Sequence, residues 1–242
     1  MLPSELVEAA KAQNLPALGL TDHRLLSGSV EFAVACKRAG IQPVLGLEIE
    51  LLENRGVENR GLENRGLLSS GSAPDGLLPS AGQRLTLLAM NVNGWSNLCR
   101  LSSLFERGDF ESPTRSPVGT TSTGIPIALL SKFSDDLIAI IPSLAKETMD
   151  ESAPLVVLKV IFKDRLYAAL DDPSTAVRRS MLAHRLNIPC VVTHPVYYLS
   201  PEQESLQRTL SAIRLNVPLG KIPPGAANMA YSFRPGLHQP GC

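Results

Sequence analysis

The feature that most constrains this chain is a strand–helix–strand pattern near its N-terminus. An apolar run at residues 17–20 predicts a strand, an apolar stripe over residues 29–38 predicts a helix, and residues 43–51 predict a second strand. Gly40 follows the helix at a position where glycine commonly ends one. Strands that alternate with helices in this way lie parallel and are joined by right-handed crossovers. The pattern therefore predicts an α/β fold.

The same alternation continues along the chain. Helices are expected where apolar residues recur on one face, at residues 4–13, 95–105, 174–186 and 201–215. Strands are expected at short apolar runs, at residues 84–90, 127–130, 137–141, 156–162, 165–170 and 189–193.

Two segments interrupt this regularity. Residues 52–66 read LENRG-VENRG-LENRG, and the unit is too short and too polar to build a solenoid. The three Arg of the repeat are matched by three Glu, which favours a solvated insertion over a nucleic-acid contact. We interpret residues 1–217 as one domain with surface-loop insertions at 52–83 and 107–126, followed by an irregular Pro/Gly-rich tail at 218–242.

Charge and cysteine usage exclude some classes of function. The formal net charge is zero, so no global positive field points to nucleic acid, although a local basic groove stays compatible with that total. The four cysteines are scattered without a C-x-x-C pair, which argues against a disulfide framework or a zinc ribbon. No signal peptide or membrane-length apolar run is present, so we expect a cytoplasmic protein with no membrane partner.

The first predicted strand ends in the polar residues Thr21, Asp22 and His23. A carboxylate beside an imidazole at a strand end can bind a metal ion. The same residue types are also common in turns, where Asp22 would accept backbone N–H bonds. Both interpretations remain open from the residues alone.

Three stretches resemble a known family in their order along the chain. They are LPALGLTDHRLLSGSVEFAVACKRAGIQPVLGLEIE, RLTLLAMNVNGWSNLCRLSS and LNIPCVVTHPVYYLSPEQESLQRTLSAIRLN. Together they resemble the PHP (polymerase and histidinol phosphatase) domain, in the form found in bacterial DNA polymerase III alpha subunits. The string N-x-x-G-W-x-N-L-C is the part typical of the polymerase branch.

The resemblance implies a distorted (β/α)7 barrel with a metal site at the C-terminal ends of its strands. Intact members bind several divalent metals and hydrolyse phosphoesters, and some polymerases use them for a 3′–5′ exonuclease. The family's first strand carries His-x-His, and this chain resembles the family only from the following helix onward. We therefore expect a barrel that lacks its first strand, truncated at both termini, with an unpaired edge that makes the chain marginally stable or prone to aggregate.

The resemblance also assigns candidate metal ligands, namely Asp22, His23 and Glu48. Glu50 lies on the same face of its strand as Glu48, but the match favours Glu48. Other ligand positions of the family are occupied by different residues: Ser143 stands for a cysteine, no histidine follows LYAAL, and Pro195 and Tyr197 replace the last two ligands. A degenerate metal site is expected, with no catalytic and no cofactor-binding residue assigned.

Two functions follow from this resemblance. The favoured one is the PHP domain of a DNA polymerase III alpha-like protein in DNA replication or repair, with a mainly structural or interaction role. Its partners would be the rest of that subunit or other replisome proteins, with DNA contacted only indirectly. The alternative is a metal-dependent phosphoesterase or 3′–5′ exonuclease. A residual site could take zinc, manganese or magnesium, but no tightly bound metal is the favoured expectation.

Each candidate residue also has an alternative role that involves no metal, such as ion pairing, hydrogen bonding or packing. Glu48 could pair with Arg24 or His23 in a polar network, and His23 could fill the mouth of the barrel. His194 could substitute for a lost ligand, although a lone histidine at a strand end is more often hydrogen-bonded. Trp95 is interpreted as a packing residue, and Asp171 as part of a solvated cap.

Overall fold

The computed structural model describes residues 2–52, 84–107, 124–142, 153–171 and 173–222. These residues form the strands β1 (Ala17–His23), β2 (Gln42–Leu52), β3 (Arg84–Ala89), β4 (Ile125–Pro126), β5 (Leu137–Ile141), β6 (Leu166–Leu170) and β7 (Cys190–Val192). The helices are α1 (Pro3–Ala12), α2 (Ser29–Ala39), α3 (Val92–Arg107), α4 (Ile127–Leu130), α5 (Ala153–Phe162), α6 (Pro173–Arg185) and α7 (Glu204–Leu215). The α/β class predicted from the sequence is confirmed.

The strands form one curled sheet in the order β1-β2-β3-β5-β6-β7, and the short β4 pairs with β2. The pairs β1–β2, β5–β6 and β6–β7 are parallel, whereas β3 is antiparallel to both of its neighbours. The C-terminal ends of the parallel strands therefore meet at one edge, together with the start of β3. We call the polar residues there, 22–24, 48, 50, 84 and 171, the strand-end edge.

Helices cover one face of this sheet. The covered face buries apolar side chains of β2, β3 and β5 against α3, α5 and α6, namely Leu47, Ile49, Leu85, Leu87, Leu137, Ala139 and Ile141. A second cluster packs α1 and α2 on the β1–β2 pair. The opposite, concave face carries Glu48, Thr86, Ile140 and Tyr167, which are all partly exposed. These four side chains of the concave face therefore reach solvent.

Several predicted elements differ from the structure. Residues 127–130 and 156–162 were predicted as strands but lie in the helices α4 and α5. The run LVVLKVIF is apolar at nearly every position, so its sequence has no period that separates a strand from a helix. In α5 the buried residues Leu155, Leu158 and Phe162 follow helical spacing. The predictions for residues 53–83, 108–123 and 223–242 lie outside the described residues.

The start of α3 is fastened to the turn that precedes β5. Asn91 Oδ1 accepts hydrogen bonds from the backbone N–H of Asn93 and Gly94, at 2.9 and 3.1 Å. Asn97 Nδ2 donates to the carbonyl oxygen of Asp135 at 2.9 Å. A Cβ atom on Gly94 would lie 2.2 Å from the carbonyl oxygen of Asp136, so only glycine fits there.

We call this contact the α3 anchor, defined by Asn91, Gly94, Asn97 and the Asp135–Asp136 turn. It gives a physical reason for the N-x-x-G-W-x-N string: Asn91 caps the start of α3, Gly94 permits the close approach to the turn, and Asn97 donates a hydrogen bond to it. Trp95, inside the same string, packs against the main core. That confirms the prediction that Trp95 is a packing residue. No helix of the described residues is long and apolar enough to cross a membrane.

Candidate site at the strand-end edge

The structure places the three predicted ligands on two different faces of the sheet. Asp22 and His23 belong to β1 itself, not to a turn after it, and the chain turns only at Arg24. Adjacent residues of a strand point to opposite faces. The register pairs His23 with Glu48, so these two share the concave face. Asp22 instead lies on the helix-covered side, close to Gly28 at the start of α2.

Glu50 is the most engaged carboxylate of the strand-end edge. His23 Nε2 lies 2.8 Å from Glu50 Oε1. Arg24 donates from Nε and from a terminal nitrogen to Glu50 Oε2, at 2.8 and 2.5 Å. Both oxygens of this carboxylate are therefore bound to basic side chains. A polar network with Arg24 and His23 was the alternative considered for Glu48, and the structure builds it on Glu50, two residues further along β2.

These contacts set the electrostatics of Glu50. Burial alone acts to raise the pKa of the carboxyl group. The hydrogen bonds from His23 and Arg24, and the positive charge of both groups, act in the opposite direction and leave the pKa below its ordinary value. Glu50 is consequently held as a carboxylate.

Arg24 is held in place from several directions. Its backbone adopts a left-handed conformation, with φ of 63°, and its N–H donates to the carbonyl oxygen of Glu48 at 2.9 Å. The Oγ of Ser102 in α3 donates to the carbonyl oxygen of Arg24 at 2.8 Å. One turn further along α3, the ring of Phe105 lies 5.2 Å from the guanidinium carbon, a cation–π contact. Residues of α3 thus hold both the backbone and the side chain of Arg24.

Glu48 makes a looser contact. Its Oε1 lies 3.5 Å from a guanidinium nitrogen of Arg84 at the start of β3. The Arg84 side chain is 56% exposed, so solvent screens this pair strongly. The antiparallel direction of β3 is what brings Arg84 to the strand-end edge, and the sequence offered no sign of it.

Asp22 differs from both glutamates. No described residue donates a hydrogen bond to its carboxylate, so the backbone bonds considered for it are not formed within the described part of the chain. Desolvation by its surroundings raises the pKa of Asp22 above its ordinary value. Asp22 therefore carries its charge at a cost, in contrast to Glu50.

At the end of β6, Asp171 forms an ion pair with Arg179 of α6. The two side chains are only 16% and 11% exposed, so Asp171 is a paired, largely buried group and the expectation of a solvated cap was wrong. Sequence reasoning missed Arg179, because eight residues separate it from Asp171 and no local pattern links them. His194 is exposed after β7, and Ser143 lies outside the described residues. Among the residues that the structure describes, no three His, Cys, Asp or Glu side chains converge as a possible metal ligand set.

Comparison with known families gives the identity of the fold. The family model of the PHP domain matches residues 1–161, about two thirds of the chain. This chain belongs to the PHP domain family. The match runs from α1 into α5 and so includes the predicted ligand positions Asp22, His23 and Glu48.

Curated relatives of this PHP domain include DNA polymerases. It is 28% identical over 232 residues to an error-prone DNA polymerase of Symbiobacterium thermophilum, covering 87% of this chain and 19% of that protein. It is 25% identical over 237 residues to the DNA polymerase III subunit alpha of Aquifex aeolicus, covering 91% of this chain and 19% of that protein. The chain therefore spans about a fifth of the length of these relatives.

A solved structure with a related shape is an amidohydrolase from Chromobacterium violaceum. It aligns with a TM-score of 0.48 and 12% identity, over 78% of this chain and 80% of that one. A likeness at this level carries no argument about function.

Proposed function

We propose that this chain is the PHP domain of a DNA polymerase III alpha-like protein that acts in DNA replication or repair. Its metal site is degenerate, and its main role is structural, through contacts with the rest of the polymerase subunit or with other replisome proteins. The observation that supports this most is the engagement of both Glu50 oxygens by His23 and Arg24.

Metal-dependent phosphoester hydrolysis needs several ligands directed at one point, where the metal activates water and neutralises phosphate charge. The strand-end edge does not offer that arrangement in its described residues. A metal at Glu50 would have to displace Arg24 and compete with His23. Asp22 lies on the other face of the sheet and cannot complete the ligand set without a change of the strand.

Exposed apolar side chains support an interaction role. Val177 and Met181 of α6 are one turn apart and are 74% and 69% exposed. On α7, Leu206, Leu210 and Ile213 are also exposed and follow helical spacing. Apolar stripes of this kind are typical of surfaces that pack against another protein. We propose that the partner that covers these apolar residues is the polymerase portion, which makes up most of the length of the relatives. DNA would be contacted only through that portion.

Metal content and hydrolysis test the degenerate site. We expect the purified chain to hold no stoichiometric zinc, manganese or magnesium. With added Mn²⁺, its hydrolysis of bis(p-nitrophenyl) phosphate and its 3′–5′ degradation of single-stranded DNA should equal those of the Asp22→Ala variant. Stoichiometric metal together with turnover that Asp22→Ala abolishes would instead support the phosphoesterase or exonuclease alternative.

Association tests the interaction role. The polymerase portion of a DNA polymerase III alpha subunit, expressed as a separate polypeptide, should bind the wild-type chain in sedimentation experiments. Val177→Glu/Met181→Glu should weaken that binding at least about tenfold, because two charges would enter an apolar contact. Val30→Glu on α2 is the matched control, since Val30 is also 70% exposed but lies on another helix. Equal losses in both variants would remove the support for the α6 surface.

A further inference from the structure

Each described carboxylate on the concave side of the strand-end edge is matched by a basic side chain of the same chain. Glu50 contacts His23 and Arg24, and Glu48 contacts Arg84. We propose that Arg24 is a built-in counter-ion, which takes the electrostatic place of a bound divalent metal at the end of β2. This inference rests on the proposed degeneracy of the metal site and adds what has replaced the metal.

The need for a counter-ion follows from the fold. Glu48 and Glu50 alternate along β2 and therefore point to the same face, roughly 7 Å apart along the strand. Two like charges at this separation repel each other, more so where the protein displaces water. A positive group near them lowers that cost, whether it is a metal ion or a side chain.

Arg24 is fixed before it meets Glu50, which separates it from an ordinary surface ion pair. Its backbone is tied to Glu48 and Ser102, and its guanidinium stacks on Phe105. The side chain therefore loses less conformational freedom when it binds the carboxylate than a free arginine would. The guanidinium also stays charged at any physiological pH, so the compensation depends on neither metal supply nor protonation.

Substitution of Arg24 by methionine tests the counter-ion role. Arg24→Met removes the charge and keeps an apolar stem that can still pack on Phe105. Arg24→Lys keeps the charge, and Glu50→Gln removes the carboxylate that a metal would need. Each full-length variant is titrated with MnCl₂ and followed by electron paramagnetic resonance, which measures free Mn²⁺ and so gives bound Mn²⁺ by difference. Its melting temperature is recorded with Mn²⁺ and with EDTA.

We expect neither Mn²⁺ nor EDTA to move the melting temperature of the wild-type chain. Arg24→Met should bind Mn²⁺ at least about tenfold more tightly than wild type. In this variant the strand-end edge keeps the carboxylates of Glu48 and Glu50 but lacks the guanidinium that offsets their charge. Arg24→Lys should behave like wild type, and Arg24→Met/Glu50→Gln should lose the added binding. Equal Mn²⁺ affinity in wild type and Arg24→Met, or a gain that survives Glu50→Gln, would overturn the proposal.

Folding of the variants provides a second readout. If Arg24→Met is too unstable to titrate, the counter-ion role predicts that the double variant Arg24→Met/Glu50→Gln melts higher than Arg24→Met alone, because the unpaired charge is gone. A double variant that is no more stable would contradict it. The two proposals fail separately: metal-dependent turnover by the wild-type chain would refute the proposed function, whereas an Arg24→Met variant that gains no Mn²⁺ refutes only the counter-ion.

Discussion

Two regions join elements of the fold by different physical means. The α3 anchor brings a glycine against a backbone carbonyl and adds amide hydrogen bonds, with no ion pair between its members. The strand-end edge joins β1, β2 and β3 through charged side chains that are partly exposed. The first contact depends on shape, and the second on charge balance.

This difference has a consequence for how the two regions tolerate change. A close backbone approach admits one residue type, whereas a charge can be balanced by several groups in several positions. In the proposed counter-ion role, Arg24 takes the electrostatic place of a metal at the strand-end edge while the sheet stays intact. We expect the α3 anchor to be intolerant by comparison, and the predictions that follow measure that contrast.

The largest effect is expected at the α3 anchor. Gly94→Ala would place a Cβ atom 2.2 Å from the carbonyl oxygen of Asp136, so either α3 or the turn must move. We expect a loss of about 3 kcal/mol in the free energy of unfolding, measured in urea. Gly28→Ala is the matched control, because its Cβ would meet other atoms only at 3.5 Å or more and should change stability little. Similar losses in both variants would show that close approach is not what Gly94 provides.

The next effect is expected at the end of β6. Arg179→Met leaves Asp171 largely buried without its cationic partner. A loss of about 2 kcal/mol is expected, less than for a fully buried pair because both side chains keep some solvent contact. The double variant Arg179→Met/Asp171→Asn should recover part of it. If the double variant lost as much stability as the two single variants added together, Asp171 and Arg179 would not be coupled.

A smaller effect is expected from the hydrogen bond that the Asn97 side chain contributes to the α3 anchor. Asn97→Ala removes the hydrogen bond to the carbonyl oxygen of Asp135 and leaves that oxygen without this donor. We expect a loss of about 1 kcal/mol. Asn93→Ala serves as the control in the same urea titration, because Asn93 is exposed on the same helix and its backbone N–H, not its side chain, donates to Asn91.

The smallest effects concern pH, and the two acids of the strand-end edge should respond with opposite sign. The pKa of Glu50 lies below its value of 4.5 in the unfolded chain, so its contribution is present above that pH and is lost as pH falls through the folded pKa. The pKa of Asp22 lies above its unfolded value of 3.8, so its contribution is present below that pH and is lost as pH rises.

The two acids can be separated by melting curves. Glu50→Gln should lower the melting temperature at about pH 7 and have a shrinking effect toward about pH 3. Asp22→Asn should raise the melting temperature at about pH 7 and have no effect at about pH 3. A loss of stability in both variants at neutral pH would contradict the opposite directions of the two pKa shifts.

Sequence reasoning was most successful where a local signal has one physical cause. The strand–helix–strand unit from β1 to β2 was predicted because its helix has a regular apolar stripe and ends at Gly40, which adopts φ of 75°. The direction of β3 could not be predicted, because strand direction depends on the path of the connection and leaves no trace in RLTLLA. The helix α5 was missed since an almost uniformly apolar run fits either structure.

For the candidate site, the limit of prediction was the end of β1. With Asp22 and His23 placed in a turn, both side chains were free to meet at one metal. Once they belong to the strand, alternation sends them to opposite faces. Alternation did predict that Glu48 and Glu50 share a face, but which of them meets Arg24 depends on the left-handed turn at Arg24. Arg84 of β3 and Arg179 of α6 could be identified as the partners of Glu48 and Asp171 only from the tertiary structure.

The antiparallel pairing of β2 with β3 also affects how the gene can change. Glu50 pairs with Arg84 in the register, so the end of β2 and the start of β3 lie side by side. Between them lie the three ENRG units of the sequence. Gain or loss of one unit adds or removes whole codons and does not touch the residues that pair β2 with β3. Slippage of the replication machinery on such a repeat would therefore vary the length of this segment without changing any residue of that pairing.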